Sequence, residues 1–215
     1  MIQIHKELAA KYNVDVNKRF EILAMLTKLR QLCLDPRLVY DDIEEPSSKI
    51  KGCIELLHSL KDSHKKVLLF SSFTSVLDLL KEKLKEEHIS YYLLTGSNTK
   101  EERQKLVNQF QNDSTDVFLI SLKAGGTGLN LTAAEAVIHF DPWWNISAQN
   151  QATDRAYRIG QNKSVQVFQL IMKDTIEEKI QNLQQLKKNL ADTFVEDGKS
   201  NIQNMSMDEI LELFN

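Results

Sequence analysis

Residues 117–128 read Val117-Phe-Leu-Ile-Ser-Leu-Lys-Ala-Gly-Gly-Thr-Gly128. The apolar run Val117 to Ile120 has the length of a strand buried on both faces, and the glycines after it mark its exit. Only 7 of the 215 residues are glycine, so finding Gly125, Gly126 and Gly128 within four positions is not a matter of composition. At the C-terminal edge of a strand, glycines let backbone amides approach a phosphate closely, and a following helix N-terminus adds a favourable dipole. A tight strand-to-helix turn needs the same glycines, so spacing alone leaves both uses open.

The pattern of this stretch repeats on both sides. Val67 to Phe70, Tyr91 to Leu94, Ala136 to Phe140 and Val165 to Ile171 are further short apolar runs. Helical periodicity separates them, through Val76, Leu80 and Leu84, then Leu106 and Phe110, then a polar helix near 148–158. Strands roughly 20 to 28 residues apart with helices between them are parallel βαβ crossovers, which predicts an α/β/α three-layer domain with a mainly parallel sheet. Flanking helices complete the chain. Ile22, Leu26, Leu29 and Cys33 share a face that Asp35-Pro36 ends, and Asp41, Asp42, Glu44 and Glu45 with Pro46 to Ser48 read as a solvated linker. Asp174 with Glu177 three residues on predicts a capping box opening a long helix through Ile180 and Leu190, and Ser206 with Glu209 caps a short last one.

Composition narrows the function. With 42% hydrophobic and 27% charged residues the chain has ordinary globular make-up, and its net charge of -3 requires any nucleic-acid contact to be local. Cys33 and Cys53 form no C-x-x-C pair and have no partners for a zinc site. No apolar run approaches a membrane span and MIQIHKELAAK lacks a signal-peptide core, so a soluble intracellular protein is expected. Two familiar nucleotide loops are absent. Gly198-Lys199-Ser200 ends like a P-loop but has Thr193 in place of its first glycine, and Leu131 occupies the third-glycine position of a dinucleotide fingerprint.

The segment Gln151-Ala-Thr-Asp154-Arg155-Ala-Tyr-Arg158-Ile-Gly-Gln161 is the most specific signal. Arg155 and Arg158, three apart, share a helical face, Asp154 is placed to orient one of them, and two adjacent guanidiniums call for an anion such as a terminal phosphate.

This segment resembles motif VI of the Snf2 family, the DNA-translocating ATPases of superfamily 2. Ser121 to Leu131 is similar to its motif V, Val67 to Thr74 to its motif IV, and Leu94-Thr-Gly-Ser97 with Arg103 and Phe110 to its motif IVa. Phe140-Asp-Pro-Trp-Trp-Asn145 resembles the segment leading into motif VI, and Leu29 to Pro36 the helix that ends the family's first lobe. Thr127 and Ser72 depart from the common pattern and leave the arginines intact.

The resemblance implies a RecA-like second lobe over 46–173, preceded by the helical end of the first lobe and a linker over 1–45 and followed by bracing helices over 174–215. It implies arginine fingers at Arg155 and Arg158. Gln151, Gly125, Gly126, Gly128 and Asp154 would line the ATP cleft, and Thr95, Gly96, Arg103, Lys123 and Trp144 would meet DNA. ATP and Mg2+ would be held mainly by the first lobe, so this chain alone is expected to be inactive. The expected partners are that lobe, double-stranded DNA and DNA-bound proteins, with no membrane. The expected setting is cytoplasmic and nucleoid-associated in a bacterium or nuclear in a eukaryote. The rival is a RecA-like lobe kept as a non-catalytic interaction module.

Overall fold

The computed structural model describes residues 20–125, 129–157 and 164–193. Helix α1 covers 20–34, and a 3-10 turn at Pro36–Leu38 follows. Then come α2 (Ser48–Asp62), β1 (Val67–Ser71), α3 (Thr74–Glu86), β2 (Tyr91–Leu94), α4 (Lys100–Asn112) and β3 (Val117–Ser121). The chain continues with α5 (Leu122–Gly125), β4 (Ala136–His139), α6 (Ile146–Thr153), β5 (Gln166–Gln169) and α7 (Ile176–Thr193). All four strand pairings are parallel, in the order β2-β3-β1-β4-β5.

The apolar strand runs fold as continuous hydrophobicity requires at the middle of the sheet and not at its edges. Every residue of β1, β3 and β4 is buried, whereas β2 is half-buried and β5 mostly exposed. The edge strand β5 is also shorter than the predicted Val165 to Ile171. Alternation along β1 sorts the core into two halves. Val67 and Leu69 pack with Ile50, Cys53 and Leu57 of α2 and Leu77, Leu80 and Leu84 of α3. Leu68 and Phe70 pack on the other face with Val107 and Phe110 of α4 and Ala152 of α6. Three layers result, as predicted.

With so few glycines, helix ends use other residues. His64 and His88 take the left-handed conformation (φ 55° and 53°) just beyond α2 and α3. Beyond each, an amide reaches back five residues, Lys65 to the Leu60 carbonyl and Ile89 to the Leu84 carbonyl, both at 2.9 Å, which closes a Schellman turn without glycine.

Two predicted helix boundaries are corrected. The polar helix ends at Thr153 and not near 158, because Ala156 N–H bonds the Thr153 carbonyl at 3.0 Å and the chain leaves the helix in tightened turns. The start of α7 is also built differently. Asp174 has a left-handed φ of 59°, and it is Thr175 Oγ1 that accepts from Glu177 N–H (3.2 Å), while Glu178 reaches back to Asp174 N–H (2.9 Å). Glu177 is drawn inward, both carboxylate oxygens lying 2.6 Å from Lys49 Nζ, and this buried pair ties α7 to the start of α2. Burial pushes the Lys49 ammonium down and the Glu177 carboxyl up from their usual ranges, each partly offset by the other's charge. The Ser206 cap and Gly198-Lys199-Ser200 lie outside the described residues. None of the described helices is long and apolar enough to cross a membrane.

The described part of α1 packs on α7 through Leu26, Ile176 and Ile180, with Ile22, Leu29, Trp144 and Leu183 around them. Leu34, at its end, belongs to the core beneath α2.

Candidate functional site

After β1 the chain turns to one side of the sheet, and after β4 it turns to the other, so the C-terminal ends of these strands flank a topological switch point, where open parallel sheets bind ligands. Asp141 sits there, buried, two residues past β4. Its Oδ1 accepts from Ser71 Oγ (2.7 Å) and Ser72 N–H (3.0 Å), and its Oδ2 accepts from Arg30 Nη2 (2.9 Å). Arg30, on α1, also donates to the Pro142 carbonyl (3.1 Å) and lies 4.8 Å from the Phe73 ring centre and 5.6 Å from that of Trp144. One carboxylate thus holds the exits of β1 and β4 and the helix from the N-terminal side.

On the β2 and β3 side, Ser72, Thr74, Asp78, Leu93, Thr95, Gly96, Ser97 and Ser121 line a groove rich in hydroxyls. Ser121 Oγ is buried and has no hydrogen-bond partner among the described residues. The corner leading into α4 is stitched locally. Thr95 N–H donates to Asn98 Oδ1 (2.8 Å), and Thr99 and Glu102 exchange the two bonds of a capping box (3.2 and 2.8 Å). Arg103 clamps it, Nε donating to the Asn98 carbonyl (3.0 Å), Nη2 to that of Thr95 (3.3 Å) and Nη1 to that of Ala124 (3.4 Å). Thr95, Gly96 and Arg103 therefore come together, and Arg103 reaches the backbone of α5, which contains Lys123 and ends at Gly125. Gly126 and Gly128 lie outside the described residues.

On the β4 side, Asn145 caps α6 by accepting from Ala148 N–H (3.1 Å). Gln151 is exposed on that helix and Asp154 is exposed at its end. Arg155 stands in the turn beyond the helix, only 4% exposed, and its carbonyl accepts from Leu131 N–H (3.2 Å), so the exit of the glycine segment is bonded to the arginine turn. Tyr157 OH donates to the Val165 carbonyl (2.6 Å), tying the far end of the turn to the approach of β5. Arg158 lies outside the described residues. Trp144 is half-buried against the α1 and α7 cluster, apart from the Thr95 corner, and Trp143 is buried at 2% exposure.

Sequence reasoning passed over several residues the structure puts to use. Asp141 was legible only as part of a quoted motif. His139 was a polar residue in an apolar strand, which is itself a signal, and Arg30, like Asp141, was legible only as part of a quoted stretch. Among the described residues no three His, Cys, Asp or Glu side chains gather as a metal site.

Known proteins match this geometry. Residues 48–160 match the family model described as the helicase conserved C-terminal domain. An uncharacterized ATP-dependent helicase of Mycoplasma pneumoniae is 41% identical over 91% of this chain and 19% of its own length. The chain spans between about a tenth and a third of the length of the curated relatives it matches. The C-terminal domain of the Sulfolobus solfataricus SWI2/SNF2 ATPase superimposes with a TM-score of 0.69 at 30% identity, covering 96% of this chain and 92% of that one. The core of the same ATPase in complex with dsDNA gives 0.71 at 32% identity, covering 96% of this chain and 47% of that one.

Proposed function

Because this chain belongs to the Snf2 family and carries the helicase conserved C-terminal domain, we propose that it is the second RecA-like lobe of an ATP-dependent double-stranded DNA translocase. The observation that carries this reading is the bond from Leu131 N–H to the Arg155 carbonyl. It ties the stretch just after the glycines to the arginine turn at the C-terminal edge of the sheet, beside which an anion bound by an opposing lobe would sit.

ATP with its Mg2+ is held mainly by the first lobe, and Gly125, Gly126, Gly128, Gln151 and Asp154 close the cleft from this side. Arg155 and Arg158 serve the γ-phosphate in different ways. The burial of Arg155 suits it to shaping the turn from within, and Arg158 supplies charge to the transition state, where a preorganised guanidinium stabilises more than it does in the ground state. The hydroxyl groove and the corner of Thr95, Gly96 and Arg103, with Lys123, follow the DNA backbone. Hydroxyls and main-chain groups suit sequence-independent contact with phosphates. Trp144, set apart from that corner beside Arg30 and the α1 and α7 cluster, offers DNA a stacking surface of its own. That a similar ATPase core is seen with dsDNA supports the choice of polymer.

The test is phosphate release with and without duplex DNA, by this chain alone and by the longer protein joining it to a first lobe. DNA-stimulated turnover is expected only from the longer protein. Turnover by the chain alone would overturn the split site, and a longer protein indifferent to DNA would overturn the translocase.

A further inference from the structure

His139 ends β4 on the floor beneath the arginine turn and is 1% exposed. Its ring stacks on Phe70 (centroids 5.8 Å apart, planes 22°) and meets Trp143 edge-on (5.3 Å, 87°). An aromatic hydrocarbon would fill that slot without burying polar atoms, so the imidazole calls for a reason. Nε2 lies 2.8 Å from Thr153 Oγ1, on the last residue of α6. Thr153 Oγ1 is itself 3.3 Å from the Gln149 carbonyl, which can only accept. With the one hydroxyl proton on the Gln149 carbonyl the imidazole donates to Thr153, whereas the opposite tautomer would bury an Nδ1–H with no acceptor among the described residues. That selects the neutral ring with its proton on Nε2. Nδ1 then carries a lone pair, and it has no partner among the described residues.

The surroundings agree with a neutral ring. Phe70 of β1, Trp143 of the following loop and Thr153 of α6 face it, and Asp141 is the charged group that acts on it. Burial pushes the imidazole down to about 4 against the pull of that carboxylate. The Thr153 carbonyl in turn accepts from Ala156 N–H (3.0 Å), and the Gln149 side chain accepts from Trp143 N–H (3.3 Å). A chain of bonds thus runs from the sheet through His139 and Thr153 into the turn that holds Arg155.

We propose that His139 is a positioning residue for ATP hydrolysis: by donating from Nε2 to Thr153 it fixes the end of α6, and with it the turn that carries Arg155 and leads to Arg158. The proposal rests on the reading of that turn given above. Its logic is geometric, since a group that must meet developing charge loses much of its effect when displaced by about 1 Å.

The experiment measures kcat and KM for ATP in the full-length protein at saturating duplex DNA. Thr153→Val keeps the shape and removes the acceptor, His139→Phe keeps the ring and removes the donor, and His139→Gln returns an N–H near the Nε2 position. Thr153→Val and His139→Phe are each expected to lower kcat about tenfold with KM within about twofold, and the double variant should be no worse than either single, because both break one bond. His139→Gln should recover most of the rate. A folded Thr153→Val protein with parental kcat overturns the proposal, and this variant decides alone if His139→Phe does not fold. Losses that multiply in the double variant also overturn it. Arg158→Ala, run beside them, separates the two ideas. If it is inactive while Thr153→Val is not, only the positioning role fails; if it stays active, the arginine-turn reading fails and the proposal with it.

Discussion

The two sides of the candidate site are held by opposite kinds of chemistry. The Thr95 to Arg103 corner is stitched at the surface, where half-exposed hydroxyls, an amide and a guanidinium bond one another and nearby carbonyls. The arginine turn is hung from a buried floor of Phe70, His139, Trp143 and Gln149, beside the buried pair of Arg30 and Asp141. Bonds made in water are worth about 1 kcal/mol or less apiece and rearrange easily, whereas a buried donor or acceptor that loses its partner incurs the full desolvation penalty. The first construction suits a surface that follows a repeating backbone whatever its sequence. The second suits a group that must be in one place when charge develops.

The largest way to break this comparison is Arg158→Ala. It is expected to lower DNA-stimulated hydrolysis by on the order of 10³ to 10⁵ with ATP affinity little changed, and Arg158→Lys should not rescue it, because lysine lacks the planar two-donor fork. Single-turnover hydrolysis beside nucleotide binding checks this. A raised dissociation constant with an intact single-turnover rate would make the residue a ground-state clamp.

Next in size is the buried pair. Arg30→Ala leaves the Asp141 carboxylate without its ion-pair partner, so a loss of about 3 to 5 kcal/mol is expected in denaturant unfolding of the chain. A loss below about 1 kcal/mol, the scale of an exposed pair, would show that the floor is not rigid.

Acid should then single out the buried side. The folded-state pKa of His139, about 4, lies below its ordinary 6.5, so the unfolded chain binds the proton first as pH falls. Stability from this group is intact above about pH 6.5 and lost as pH drops toward 4, by roughly 3 kcal/mol in all. Urea midpoints at pH 7 and 4.5 should converge in His139→Phe relative to the parent. An equal acid loss in both proteins would assign it to other groups.

The smallest effects belong to the surface side. Arg103→Ala should weaken DNA stimulation and reduce the salt slope by about 1 while basal hydrolysis persists. Trp144→Ala tests the border between the two constructions. Loss of a stacking surface would weaken DNA binding by roughly 1 to 3 kcal/mol. A fall in melting temperature with DNA binding unchanged would instead assign the indole to the α1 and α7 cluster that it touches.

The sequence by itself determined the parallel α/β/α architecture, since central strands buried on both faces must be continuously apolar and helices keep their own period whatever packs on them. It also placed the glycine segment and the arginine string, because both are local runs of unusual residue types. What only the tertiary structure decided are the pairings between distant residues: Arg30 with Asp141 across 111 positions, Lys49 with Glu177 across 128, and Leu131 with the carbonyl of Arg155. For the same reason the cap of α7 was misread. A glutamate three residues after an aspartate is a local capping signal, and a buried lysine from α2 outbid it, a competitor that no local pattern announces. His139 and Thr153 belong to this class. His139 stands out as a polar residue in an apolar strand and Thr153 does not stand out at all, and the bond between them exists only because the end of α6 lies against the end of β4, where burial leaves a polar atom no other partner to choose.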